Sequence, residues 1–251
     1  MVSIKAGMLG MVEQAFAEVI GRHLEGGELK WEKVRNRRRA SCAREVIETA
    51  YALGNRRLIR VDTLFWDTYD RYHSTDHVDH ERNINQMASR LLKRVCLGRF
   101  GGSKAWLIRP DHGSIVNWRI AVSETQELLE RGNPRVDTAE LGVLVEERPS
   151  SDYALVQVAD IFAGVATFSA NETVNLLASR SSVDHESLSW SQRYRLPLVG
   201  RVLQISGGLG HRTMVRPLGG LTTNSQEAPI NFWPFSTPRG EGNAPMRLVS
   251  R

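Results

Sequence analysis

Between Met11 and Leu24 the apolar residues Val12, Phe16, Val19, Ile20 and Leu24 recur at spacings of three and four, a stripe that predicts an amphipathic helix ended by Gly26-Gly27. A short extended piece, Glu28 to Trp31, and a basic run then lead to a second helix near Cys42 to Leu53, with Gly54-Asn55 as a left-handed cap. Arg57 to Trp66 reads as a strand. Asp79 is placed to cap a third helix through Leu97, with Ile84, Met87, Leu91, Leu92 and Val95 on its apolar face. Gly101-Gly102 turns the chain into a short strand, Ala105 to Arg109, stopped by Pro110-Asp111. A fourth helix follows from Asn117 to Leu129. Leu141 to Val145 is an apolar run bounded by charges, as a strand covered on both faces would be. Ser151 or Asp152 then offers a cap to a nearly all-apolar helix, Tyr153 to Phe168.

Strands alternating with helices predict an α/β fold, a mixed sheet with flanking helices. After Arg180 the texture turns to Ser, Gly and Pro with scattered apolar residues, and Arg239 to Arg251 reads as a flexible end. The expected division is therefore an α/β domain over 1–180 and a C-terminal extension with a flexible tail over 181–251.

The composition agrees with a buried core: 41% of the 251 residues are hydrophobic and 24% charged, which argues against wholesale disorder. Cys42 and Cys96 lack any CxxC or Cys/His spacing, so they read as two reduced core thiols rather than a disulfide framework or zinc site. The first 24 residues contain Lys5, Glu13, Glu18 and Arg22, unlike a signal peptide, and no later stretch reads as a membrane span of roughly 18 apolar residues. A cytoplasmic protein without membrane contact is expected. Lys and Arg outnumber Asp and Glu, 33 to 28, for a net charge of +5, which favours polyanions and makes nucleic acid the expected partner.

Asp160 is the most distinctive polar residue. On a helix it shares one narrow face with Gln157 and Gly164, inside the apolar run Ala154 to Val165. A carboxylate at the edge of a core loses hydration, and a cation or strong donors must replace it. Metal is one replacement; an arginine, backbone amides or open solvent are the others. Asp111 directly follows a strand and Pro110, where open α/β sheets face their ligand crevice, but Pro-Asp-His-Gly also favours a plain turn. Lys30, Trp31, Lys33, Arg35, Arg37, Arg38 and Arg39 suit phosphate contacts and base stacking, or else a solvated helix start rich in arginine. Tyr72 to Glu81 holds three histidines among three acids, and a polar loop ending in an Asp cap explains it better than zinc. Phosphate-binding loops, dinucleotide fingerprints, GxSxG elbows and HExxH are all missing from the sequence.

Glu28-Leu29-Lys30-Trp31, Val61-Asp62-Thr63, Pro110-Asp111 and the Gln-x-x-Asp-x-x-x-Gly helix of Gln157, Asp160 and Gly164 together resemble an uncharacterised bacterial and phage family, catalogued as domain of unknown function number thirty-eight hundred. The likeness runs from Met11 to Ala170. It implies a divergent ribonuclease-H-like fold in which acids from strands and from the last core helix gather round divalent metal. On that resemblance Asp111, Asp160 and Glu28 become metal ligands for Mg²⁺ or Mn²⁺, and Glu28, Lys30, Asp111 and Asp160 the catalytic set of a nuclease. Members of that family open with a strand ending in Asp-Glu-Ser-Gly, which does not occur here; Val2, Ile4 and Leu9 then read as the remnant of the following strand, and the N-terminal strand as truncated. The expectation is a metal-dependent phosphodiesterase, inactive if that ligand is irreplaceable. Asp62 is the loosest candidate to replace it. The alternative is a non-catalytic nucleic-acid-binding or assembly module that kept the fold and lost the metal site.

Overall fold

The apolar stripe of the first helix decides where the core lies. α1 (Leu9–Leu24) turns Val12, Phe16, Val19 and Ile20 inward, and Glu25 (φ 46) and Gly26 (φ 83) end it in left-handed conformation. The computed structural model describes residues 1–66, 80–97, 105–112, 114–132, 142–172, 188–208, 213–216, 220–223 and 228–235. α2 (Arg37–Asn55) starts well before Cys42, because the Asn36 side chain accepts the Arg39 amide at 2.9 Å and draws the arginines into its first turn. The left-handed residue after it is Arg57 (φ 60), not Gly54. Gly54 serves a different need: a Cβ there would run into the ring of Pro229.

β2 (Ile59–Trp66) is the middle strand of a three-stranded sheet. β1 (Val2–Ile4) lies antiparallel on one side, with Val2 opposite Val61. On the other side β7 (Ile230–Phe235) runs parallel, Ile230 again opposite Val61. A second ladder pairs β3 (Ala105–Ile108) with β4 (Gly142–Val145) in parallel, and α4 (Trp118–Gly132) lies in the connection between them. β4 is not covered on both faces as expected: Leu144 is 65% exposed, and Leu107, its partner in register, 44%. β5 (Thr213–Arg216) and β6 (Gly220–Thr223) form an antiparallel pair. The molecule is thus a mixed α/β protein with three small hydrogen-bonded sheets among the described residues.

α5 (Ala154–Asn171) is the core's central helix, with Val158, Ile161, Phe162, Val165 and Ala166 wholly buried. By length and composition alone it also qualifies as a membrane span, which the sequence reading missed; its mean hydropathy is 1.3. Half of it lies inside this protein's own core, which accounts for that hydropathy. Neither Ser151 nor Asp152 caps it. Those residues form a 3₁₀ turn, Tyr153 occupies the cap position, and Glu13 of α1 accepts the amides of Ala154 and Leu155 instead.

α6 (Trp190–Gly208) packs on α2. Leu198, Val199, Val202, Leu221, Ile230 and Phe232 join the core formed by α1, α2 and α5. α3 (His80–Leu97) meets α4 in a smaller cluster of Ala88, Leu92 and Ala121. The histidine-rich stretch from Tyr72 to Asp79, including the expected Asp79 cap, lies outside the described residues, and His80 and Glu81 begin α3. Cys42 is a buried free thiol, pushed up to about 11 chiefly by burial and so held inert as a nucleophile.

Candidate functional site

Gln157, Asp160 and Gly164 act as one clip. The buried Gln157 accepts the Leu29 amide at 2.7 Å and donates to the Ser150 carbonyl at 2.9 Å. One turn along, Asp160 Oδ2 accepts the Trp31 amide at 2.7 Å. Alternate amides of an extended segment point the same way, and residues three apart on a helix share a face, so the two registers match. Gly164 completes the clip, because a Cβ there would overlap the Trp31 indole. The indole also meets Phe168 edge-on at 5.8 Å. Arg195 covers it at 5.2 Å and donates to the carbonyls of Trp31 and Glu32.

Beside this clip opens a cleft of about 520 Å³ lined by Lys30, Asp111, Ser150, Asp160 and Arg195. Asp111 sits just past β3, where it bridges to Arg148 beyond the end of β4; its Oδ1 accepts the amides of His112 at 2.9 Å and Ser150 at 3.0 Å. It is at once a turn residue and a cleft acid. Its Oδ2, and Oδ1 of Asp160, accept no hydrogen bond from the described residues. Asp160 is open to the cleft, yet protein packed along its other side raises its carboxyl above the usual range, helped by the charges of Glu32 and Asp111 and opposed by the Trp31 amide and Lys30.

Glu28 belongs to a different grouping. Its carboxylate pairs with Lys30 at 3.3 Å and Lys33 at 3.6 Å and accepts the Ser150 hydroxyl. Burial pushes it up, but the Ser150 and Lys30 bonds and the two lysine charges together hold it below the ordinary value. Among the described residues no three His, Cys, Asp or Glu side chains come together as a metal cage. The expected trio therefore divides: Asp111 and Asp160 share the cleft, whereas Glu28 is already neutralised by lysine. Lys30 connects the two groupings, its ammonium stabilised first by the bond to Glu28 and then by the charges of Glu28, Asp111 and Asp160. Asp62 is taken as well, held by Arg60 at 2.7 and 2.9 Å and by the Trp233 indole at 3.0 Å.

The basic run is largely tied into the fold. Arg35 bonds the Glu32 carbonyl at 3.0 Å, Arg38 bonds Glu25 at 2.7 Å and the His23 carbonyl, and Arg39 bonds the Glu28 carbonyl at 2.8 Å. Trp31 is half-buried and lines the cleft, with its ring against Gly164 and Phe168 and the Arg195 guanidinium over it. Arg37 is exposed on the first turn of α2. Ser150 and Arg195 escaped the sequence reading. Ser150 touches Asp111, Glu28 and Gln157 with its amide, hydroxyl and carbonyl, and its one sequence signal is the Pro149-Ser150-Ser151-Asp152 turn before α5. Arg195 has no signal, being far along the chain from the tryptophan it covers.

An uncharacterised protein of Methanothermobacter thermautotrophicus, ORF2, is 30% identical to this chain over 239 residues, covering 89% of the chain and 81% of ORF2. The chain belongs to the ORF2 family. A second ORF2-family protein from the same organism, uncharacterised ORF2′, is 29% identical over 238 residues at the same coverage. No family model matches the chain, and no solved structure matches it.

Proposed function

We propose that this ORF2-family protein is a ribonuclease-H-like nuclease that hydrolyses phosphodiesters of DNA or RNA with a divalent metal. The observation that carries the reading is that Asp111, from the end of a parallel strand, and Asp160, from the central core helix, line one cleft with Lys30. The antiparallel β1–β2 pair and the β3–α4–β4 order support the fold assignment, as does the resemblance carried by the Gln157, Asp160 and Gly164 helix.

The donor set fits a hard cation: two carboxylates with oxygens turned to a cleft suit Mg²⁺ or Mn²⁺, and a carboxyl lifted by packed surroundings gains from a positive ion. Bound there, such an ion supplies an activated water and neutralises charge on the phosphate. The chain's own groups do the rest. Lys30, fixed by Glu28, presents its ammonium to a phosphate oxygen; Ser150 aims Asp111 and Glu28; the Trp31 amide fixes one oxygen of Asp160.

A second reading, a nucleic-acid-binding or assembly module without catalysis, is favoured by the neutralisation of Glu28, which leaves two acids in the cleft. Incubation with DNA and RNA in Mn²⁺, wild type beside Asp160→Asn, separates them. The nuclease reading expects metal-dependent cleavage that the substitution abolishes. Equal behaviour of the two proteins supports the binding module.

A further inference from the structure

A second groove, of about 400 Å³, runs between α2 and α6 and is lined by Arg37, Arg44, Arg193 and Arg201 with Tyr194 and Gln204. No acid lines it. Glu48 is shared by Arg44 at 3.0 Å and Arg201 at 2.7 Å, so one negative charge faces two guanidinium groups, and Arg37 is exposed beside them; Arg193 donates to the Leu188 carbonyl at 3.1 Å. Like charges gathered on two helices repel in the free protein, an arrangement that a polyanion relieves.

Two further observations narrow the polyanion. Trp190, at the start of α6, is 69% exposed with the Arg193 guanidinium 5.4 Å from its ring centre, an aromatic platform beside the arginines. Arg195 follows two positions on, in the cleft of Asp111 and Asp160, and the charge of Arg35 bears on it. The first turns of α6 therefore place an arginine on each side of the helix, Arg193 toward the groove and Arg195 toward the cleft.

We propose that the α2–α6 groove binds one nucleic-acid strand, its phosphates on Arg37, Arg44, Arg193 and Arg201 and a base stacked on Trp190, and leads that strand to the cleft. A strand suits this surface better than a duplex, because a flat ring can stack only on a base already unstacked. The proposal deepens the nuclease reading and rests on it for its purpose, but binding can be measured without cleavage.

The test is fluorescence anisotropy of labelled oligothymidylate and oligouridylate in EDTA, titrated with the full chain across a salt series. The variants are Arg37→Ala/Arg193→Ala, its Arg37→Lys/Arg193→Lys counterpart, Trp190→Ala and Trp190→Phe, each checked for wild-type circular dichroism. The double alanine variant is expected to bind more weakly, with the slope of log affinity against log salt smaller by roughly 0.7 per lost phosphate contact, and the lysine pair to regain most of that slope. Trp190→Ala should weaken binding about fivefold or more and Trp190→Phe much less. Unchanged affinity in the double alanine variant overturns the proposal; so does no binding by wild type, equal binding of duplex, or displacement by polyglutamate as readily as by unlabelled strand. Groove-dependent binding without Mn²⁺ cleavage leaves the groove standing and sinks the nuclease reading. Cleavage that Asp160→Asn abolishes, with binding indifferent to the groove variants, does the reverse.

Discussion

Asp62 and Asp160 are the same side chain put to opposite uses. In the three-stranded sheet Asp62 is fully buried, and both its oxygens are saturated by Arg60 and Trp233. At the cleft, Asp160 gives one oxygen to the Trp31 amide and keeps the other for the open side. What distinguishes a scaffold acid from an open one here is the bonding capacity left over after folding, not the depth of the residue in the chain's apolar pattern. A buried and saturated carboxylate holds a structure together; one lifted by its surroundings and half satisfied is poised to meet something else.

The contrast fails if Asp62 proves dispensable. Asp62→Ala takes from the Arg60 guanidinium, only 3% exposed, the carboxylate it holds at 2.7 and 2.9 Å, strands the Trp233 indole N–H, and should lower unfolding free energy by about 3 kcal/mol in urea titration. Next in size, Gly164→Ala drives a methyl into the Trp31 ring and should cost about 3 kcal/mol, with a changed tryptophan emission as Trp31 leaves α5. Gln157→Leu keeps the volume but strands the Leu29 amide and the Ser150 carbonyl, for a loss of about 1–2 kcal/mol by the same titration.

The smallest effect is the most telling. Because folding raises the Asp160 carboxyl, the folded state favours its protonated form, and the stability this brings is lost as pH rises through the raised value. At neutral pH the charged Asp160 is therefore a burden. Asp160→Asn, which keeps an acceptor for the Trp31 amide, should melt at or above the wild-type temperature near pH 7. That difference should close as the pH is taken down through the aspartate range. A clear fall in melting temperature at pH 7 would place Asp160 with Asp62 among the scaffold acids.

Much of the helical frame was legible because the stripes of α1, α4 and α5 are local properties of the chain, and Asp111 was legible because Pro110 stops a short strand there. The Gln157, Asp160 and Gly164 pattern could be seen, but its physical reason lay in Glu28 to Trp31, distant in sequence. Arginine-rich sequence after Lys30 suggested one contact surface. The fold instead uses Arg35, Arg38 and Arg39 to bond carbonyls and leaves Arg37 to the groove. Ser150, Glu13 and Arg195 act through partners that no periodicity connects to them.

β7 pairs with β2 although about two thirds of the chain separates them. During synthesis the earlier helices can gather while β2 still waits for its neighbour, so this side of the sheet closes only after β7 has been made. A premature stop codon between Trp66 and Ile230 would thus yield a polypeptide with an open strand edge, prone to sticking to its own kind, rather than a shorter working protein.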